Sequence, residues 1–147
     1  MMYGRLQLGA IDWQLKTEKQ KGQNDRVSFW PRGKVLGGCS SINALLYVRG
    51  DKDNYDSWER DGCTGWGFND VLPYFKKSED CTVPGTDAKY RGKGGDLKVT
   101  SPIPHGFTHQ WVKASNEAGI PLNKDYNGAS MIGVGYTQVC STLLRVL

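Results

Sequence analysis

Glycine outnumbers every aliphatic residue type in this chain, holding 19 of 147 positions against 12 Leu, 10 Val and 5 Ile. With the four Phe, large aliphatic and phenyl side chains come to 31 residues, or 21%, just above the level typical of disorder. So many glycines imply many backbone positions at positive φ or in close approach. Five Trp and seven Tyr oppose disorder, because each ring has a large apolar area to bury. The length suits one domain that buries about two-thirds of the surface its unfolded chain exposes. The expectation is a folded, loop-rich chain with a small core.

The formal net charge is +4, with acidic and basic residues interleaved. Arg49 to Asp61 alone holds three basic and five acidic residues, whereas a nucleic-acid binder clusters its positive charge. No nucleic-acid partner is expected. The longest uncharged run, Tyr126 to Leu144, carries Asn127, Gln138 and several Ser, Thr and Gly. Those residues are costly in lipid, so no transmembrane segment is expected. No secretory signal is visible at the N-terminus, and the compartment stays open. Cys39, Cys63, Cys81 and Cys140 form no CxxC pair, which argues against structural zinc; buried or idle thiols are expected.

Local patterns predict a modest set of elements. Ile11 to Leu15 alternates like a short strand, and Lys16 to Asp25 reads as a solvated loop. The hydroxyls of Ser40 and Ser41 and the apolar run after them predict a short buried helix beginning near Ser41. Asn54 to Asp61 reads as a surface helical turn. A helix over Val71 to Ser78 would be capped by Asp70, with Pro73 in its first turn. Residues 81–95 read as loop and Asp96 to Thr100 as a strand. Phe107, Trp111, Ala114 and Ala118 stripe a helix that stops at Gly119, and Val134 to Thr142 reads as a final strand.

The segment Arg32 to Asn43 carries most of the chemistry. Gly37 and Gly38 let backbone N–H groups turn outward, Arg32 and Lys34 add positive charge, and the small Cys39, Ser40 and Ser41 admit a close ligand. The same residues also suit a tight loop-to-helix turn with no ligand. The loop is not a nucleotide-hydrolase phosphate loop, because Gly33-Lys34 opens it instead of closing it. No Gly-x-Gly-x-x-Gly follows a strand, and no Gly-x-Ser-x-Gly occurs. His105 and His109 stand at i, i+4, but Gly106 occupies the place of the Glu that a zinc-protease helix needs. No metal site is expected. No two carboxylates share an apolar setting, and no complete catalytic constellation is present.

Arg32-Gly33-Lys34-Val35-Leu36-Gly37-Gly38-Cys39-Ser40-Ser41-Ile42-Asn43, running on to Tyr47-Val48-Arg49-Gly50, closely resembles the first signature of the glucose–methanol–choline family of FAD-dependent oxidoreductases. Asn54 to Trp58, Gly65 to Phe68, Asp70 to Glu79, Gly94 to Val99, Glu117 to Pro121 and Asp125 to Gly128 resemble the family's next blocks, in family order. The texture is nearest the glucose dehydrogenase and choline dehydrogenase branches.

The resemblance implies an α/β fold, mixed α+β over this stretch. Residues 1–80 would be part of an FAD-binding domain whose flavin loop and helix occupy 31–50, and 81–147 would begin the substrate-binding domain. It implies Arg32, Leu36, Gly37, Gly38, Cys39, Asn43, Ala44, Leu46 and Tyr47 as flavin neighbours, with FAD held non-covalently, because Ile42 stands where some members carry a flavin-linked His. It implies hydride transfer from a CH–OH donor, a small alcohol, sugar or choline, to FAD. The family's dinucleotide unit, and its terminal His followed by a second His or Asn, have no counterpart here. The chain therefore reads as an internal piece, inactive by itself. The alternative is a non-catalytic binding or interaction protein that reuses the loop.

Overall fold

The computed structural model describes residues 6–140, which cluster into two compact units, one up to Leu45 and the other from Leu46 onward. Helix and short strand are mixed in the chain, as expected.

The first unit is a hairpin arm with a glycine loop at its base. Strand β1 (Leu15–Lys16) pairs antiparallel with β2 (Phe29–Trp30), Leu15 opposite Trp30. The ladder continues through Trp13 N–H to Arg32 C=O at 2.9 Å and Lys34 N–H to Ile11 C=O at 2.7 Å. The strand predicted over 11–15 is therefore shorter and later than its alternation suggests. Gln14 sits at φ +53 and interrupts the period. Asp12 is buried while Trp13 and Leu15 are exposed. Asp12 turns inward because its Oδ1 accepts the N–H groups of both Gln14 and Arg32, each at 2.9 Å.

The short buried helix expected after Ser41 is not formed. Helical geometry is limited to one 3-10 turn, Gly38–Ser41. Asn43 then accepts the Leu45 N–H on its own side chain at 2.8 Å, and Leu45 turns to φ +57. A short polar side chain that binds nearby backbone competes with the helix ladder, and here it wins.

In the second unit, helix α1 (Lys52–Arg60) is capped by Asp51, whose carboxylate accepts the Asp53 N–H. Helix α2 (Phe68–Ser78) begins earlier than predicted, with Gly67 rather than Asp70 at its N-cap and Pro73 inside the helix. The cap comes from across the fold: Asp56 of α1 accepts the Phe68 N–H at 2.8 Å. Tyr55 packs edge-on against Trp58 and Phe75, with ring centroids 5.3 and 5.7 Å away.

Strand β3 (Glu79–Cys81) follows α2 directly and pairs in parallel with β4 (Leu97–Val99), Cys81 opposite Val99. Residues 79–81 are too polar to read as a strand. Burial of Glu79 and Cys81 decides it. The core here is small: Tyr47, Cys81, Val83 and Val99, with Cys140 packed against them.

Helix α3 (Gly106–Glu117) forms where expected, its N-terminus capped by His105. Its orientation differs from the stripe reading. Val112 is buried, whereas Phe107 and Trp111 are 64% and 63% exposed and Ala114 and Ala118 lie on the surface. The predicted last strand is reduced, within 134–140, to isolated bridges of Val134 to Leu122 and of Val139 to Leu46 and Thr100. Residues 141 and 142 of that strand lie outside the described residues.

Candidate functional site

The glycine loop folds tightly on itself. A Cβ on Gly33 would fall 2.1 Å from the Gly38 carbonyl oxygen, so only glycine allows this approach. Gly37, at φ +86, leads into the 3-10 turn, and its absent Cβ leaves room for Ser41 Oγ, which would otherwise lie 2.5 Å away. The hydroxyls are spent inside the loop: Ser40 donates to Gly37 C=O at 2.6 Å and Ser41 to Leu36 C=O at 2.8 Å. A Cβ on Gly38 would meet nothing within 4 Å. The backbone is therefore bare and open at that point.

Around it, Arg32, Leu36, Gly37, Cys39 and Asn43 are exposed, Leu36 at 95%. Ala44 is half-buried. Arg32 donates to its neighbour Pro31 C=O at 2.8 Å and lies over the Trp30 ring. Since Asn43 Oδ1 serves the Leu45 N–H, its Nδ2 is the donor left to face outward. A single 3-10 turn has far less dipole than the helix expected here, so an anion would rely on Arg32 and loop N–H groups more than on a helix terminus.

The remaining two predicted positions belong to the second unit. Leu46 is 49% exposed. Tyr47 is buried, and every polar atom it has is engaged. Its N–H donates to Gln138 C=O at 2.9 Å. Its carbonyl accepts from Tyr126 Oη at 2.9 Å and Asn127 Nδ2 at 3.1 Å, and its hydroxyl accepts from Arg49 Nε at 3.0 Å. Burial raises the Tyr47 and Tyr126 hydroxyls above the usual tyrosine range.

Tyr47 leads into a buried ionic cluster that the sequence does not reveal. Glu79, fully buried, accepts Arg91 on both oxygens, Nε to Oε1 at 3.0 Å and Nη2 to Oε2 at 3.1 Å, and takes the Gly92 N–H at 2.6 Å. Arg49 Nη2 lies 2.6 Å from Glu79 Oε1, an ionic contact whose N–H is not aimed as a hydrogen bond. Arg91 Nη1 also donates to Asp125 Oδ1 at 2.7 Å and Gln138 Oε1 at 2.8 Å. Burial alone would raise the Glu79 carboxyl, but the Arg91 hydrogen bonds, the Gly92 N–H and the two guanidinium charges hold it below the usual carboxylate range. The charges balance as two guanidinium groups against Glu79 and the partly buried Asp125, in an ionic setting rather than an apolar one. Arg49, Glu79, Arg91 and Asp125 stand far apart in sequence with no periodicity, so no local signal marks them.

His105 and His109 have separate partners: His105 caps α3, while His109 Nδ1 lies 2.8 Å from the Tyr136 hydroxyl. Among the described residues no group of His, Cys, Asp or Glu is placed to hold a metal ion, and no helix is long and apolar enough to cross a membrane. All four cysteines are free, Cys39 and Cys63 exposed and Cys81 buried.

The family model described as GMC oxidoreductase matches residues 7–145. Human mitochondrial choline dehydrogenase is 40% identical over 126 residues, covering 85% of this chain and 21% of its own length. The glucose dehydrogenase [FAD, quinone] of Drosophila melanogaster is 39% identical over 135 residues, covering 88% of this chain and 21% of its own. The crystal structure of pyridoxine 4-oxidase from Mesorbium loti superposes with a TM-score of 0.82 at 30% identity, over 95% of this chain and 28% of the oxidase. This chain thus spans about a fifth of those two curated relatives' length.

Proposed function

The chain belongs to the GMC oxidoreductase family, and on that premise we propose that it supplies the flavin-facing loop of an FAD-dependent oxidoreductase acting on the CH–OH group of a small alcohol, sugar or choline. The observation that carries this reading is the tight glycine loop, where a Cβ on Gly33 would fall 2.1 Å from the Gly38 carbonyl oxygen while the backbone at Gly38 stays bare, inside the stretch that the family model matches. A flat ligand can lie directly against a backbone that presents no side chain. Bound FAD would supply the hydride acceptor.

The chain's own residues would bind and orient that group. Arg32, exposed beside the loop, suits a phosphate oxygen. Asn43 offers its Nδ2 as donor, held in place by the turn it makes with Leu45. Gly37, Gly38 and Cys39 give close approach. Leu36, Ala44 and Leu46 offer apolar contact, and Tyr47 contributes as an anchored position whose hydroxyl faces Arg49. Ile42 has no nucleophile to form a flavin bond and is buried, so the cofactor would be held non-covalently. In this reading residues 1–80 belong to the FAD-binding domain and 81–147 open the substrate domain. No residue of the chain is proposed to handle the substrate proton, and the 147-residue chain is proposed to be inactive alone.

The test is a chimera in which this chain replaces the matching stretch of human choline dehydrogenase. Retention of stoichiometric FAD and of alcohol oxidation is expected. A folded chimera without flavin would overturn the reading and leave a non-catalytic role.

A further inference from the structure

We propose that Glu79 is a positioning residue that holds the Leu46–Arg49 segment in one rotation, with Leu46 turned outward. The proposal rests on the flavin-facing role given to Leu46 above. Side chains along this segment alternate: Leu46 and Val48 are 49% and 56% exposed, Tyr47 and Arg49 are buried. In such a stretch, fixing the inward pair fixes the outward pair.

The inward pair is held through Glu79. Arg49 reaches Glu79 with Nη2, Tyr47 Oη with Nε and the Tyr90 carbonyl with Nη1, while its own N–H donates to Asn127 Oδ1 at 2.9 Å; of these side-chain partners Glu79 alone carries charge. Among the described residues, Glu79 is the carboxylate that ion-pairs with both guanidinium groups, whereas Asp125 pairs with Arg91 alone. With Glu79 neutral, Arg49 would be a buried cation with no counter-charge, and its most favourable escape is toward water. That escape pulls Arg49 against the backbone bonds that tie Tyr47 and Arg49 to Gln138, Tyr126 and Asn127, loosening them and with them the outward setting of Leu46. Asp125 does not substitute, because its carboxylate pairs with Arg91.

Glu79→Gln keeps the shape and removes the charge. In the 147-residue chain, hydrogen exchange read at the Tyr47 and Arg49 amides should be at least ten-fold faster in the variant, relative to amides of α2 in the same sample. Asp125→Asn, which leaves Arg49 its counter-charge, should show no such local excess. Should Glu79→Gln fail to fold, Tyr47→Phe, which removes the hydroxyl that faces Arg49 Nε and Glu79 and leaves both charges in place, should give the same local excess in smaller measure. Equal acceleration across the unit, or the same excess in Asp125→Asn, would overturn the proposal.

In the FAD-loaded chimera, Glu79→Gln should also shift the flavin absorption band and midpoint potential; unchanged flavin properties would refute positioning toward the cofactor. A chimera that holds no flavin before substitution sinks the functional reading instead, and the exchange measurement still decides whether Glu79 sets the segment.

Discussion

Glu79 grips the Arg91 guanidinium with both carboxylate oxygens while neither side chain is open to water. The fork-to-fork geometry fixes orientation as well as distance. It also fixes a chain crossing: a Cβ on Gly92, the next residue, would fall 1.9 Å from the Lys76 carbonyl oxygen of α2, so the backbone after Arg91 runs directly beneath the helix that delivers Glu79.

A buried pair is costly to break even where it adds little net stability. Glu79→Ala should lower the unfolding free energy by about 3–5 kcal/mol, because two guanidinium groups lose their shared counter-charge. Urea titration of both chains measures this. A loss under about 1 kcal/mol would mean that water reaches the pair in solution.

Acid should destabilise the second unit through the same carboxylate. The folded-state pKa of Glu79 lies below its unfolded value, so the unfolded chain binds the proton first as pH falls. Its contribution is complete above the unfolded pKa, begins to fade from about pH 5, and is lost as pH drops through the folded value. Thermal melts from pH 7 to 3 should show this decline in the parent chain and a flatter one in Glu79→Gln.

Asn43→Ala removes the side-chain acceptor that turns the chain at Leu45. The expected cost is about 1 kcal/mol, the net value of one hydrogen bond. If Asn43 also faces the flavin, the chimera carrying the substitution will show an altered flavin potential and reduced turnover. A changed melt with an unchanged flavin would assign Asn43 to the turn alone.

Trp111 lies on the open face of α3 at 63% exposure. Trp111→Gln should therefore change stability by no more than about 0.5 kcal/mol, against about 3–5 kcal/mol for an aromatic lost from a core. With Phe107 beside it on the helix surface, the parent chain should self-associate with rising concentration. Light scattering should show less association in the variant, and a monomeric parent would contradict the expectation.

Free FAD should bind the 147-residue chain weakly, with a dissociation constant above about 1 μM. On the proposed reading the loop would meet the flavin half, but the sequence holds no Gly-x-Gly-x-x-Gly unit to cradle the pyrophosphate. Equilibrium dialysis decides; submicromolar binding would show that the loop suffices.

Elements whose signals are local were legible. Helix α3 starts after His105 and ends before Gly119 at φ +94 much as its spacing predicts. The glycine loop occupies the expected residues. Predictions failed where the deciding partner lay elsewhere in the chain. Asp70 looked like the cap of α2, but Asp56 on α1 receives the first N–H and moves the start back to Phe68. Cys81 reads as the start of a loop and polar Glu79 and Asp80 give no strand signal, yet a distant guanidinium and a parallel neighbour make Glu79–Cys81 a strand.

The sequence by itself determined that the core would be small, that Gly37 and Gly38 would let the backbone turn, and that the segment around them resembles one family's loop. These follow from composition and from backbone freedom, which act within a few residues. Only the tertiary structure decided that Tyr47 faces inward, that α3 turns its aromatic stripe outward, and that Glu79 joins Arg49 to Arg91. Burial and charge pairing depend on which distant segments meet, and no spacing along the chain encodes that meeting.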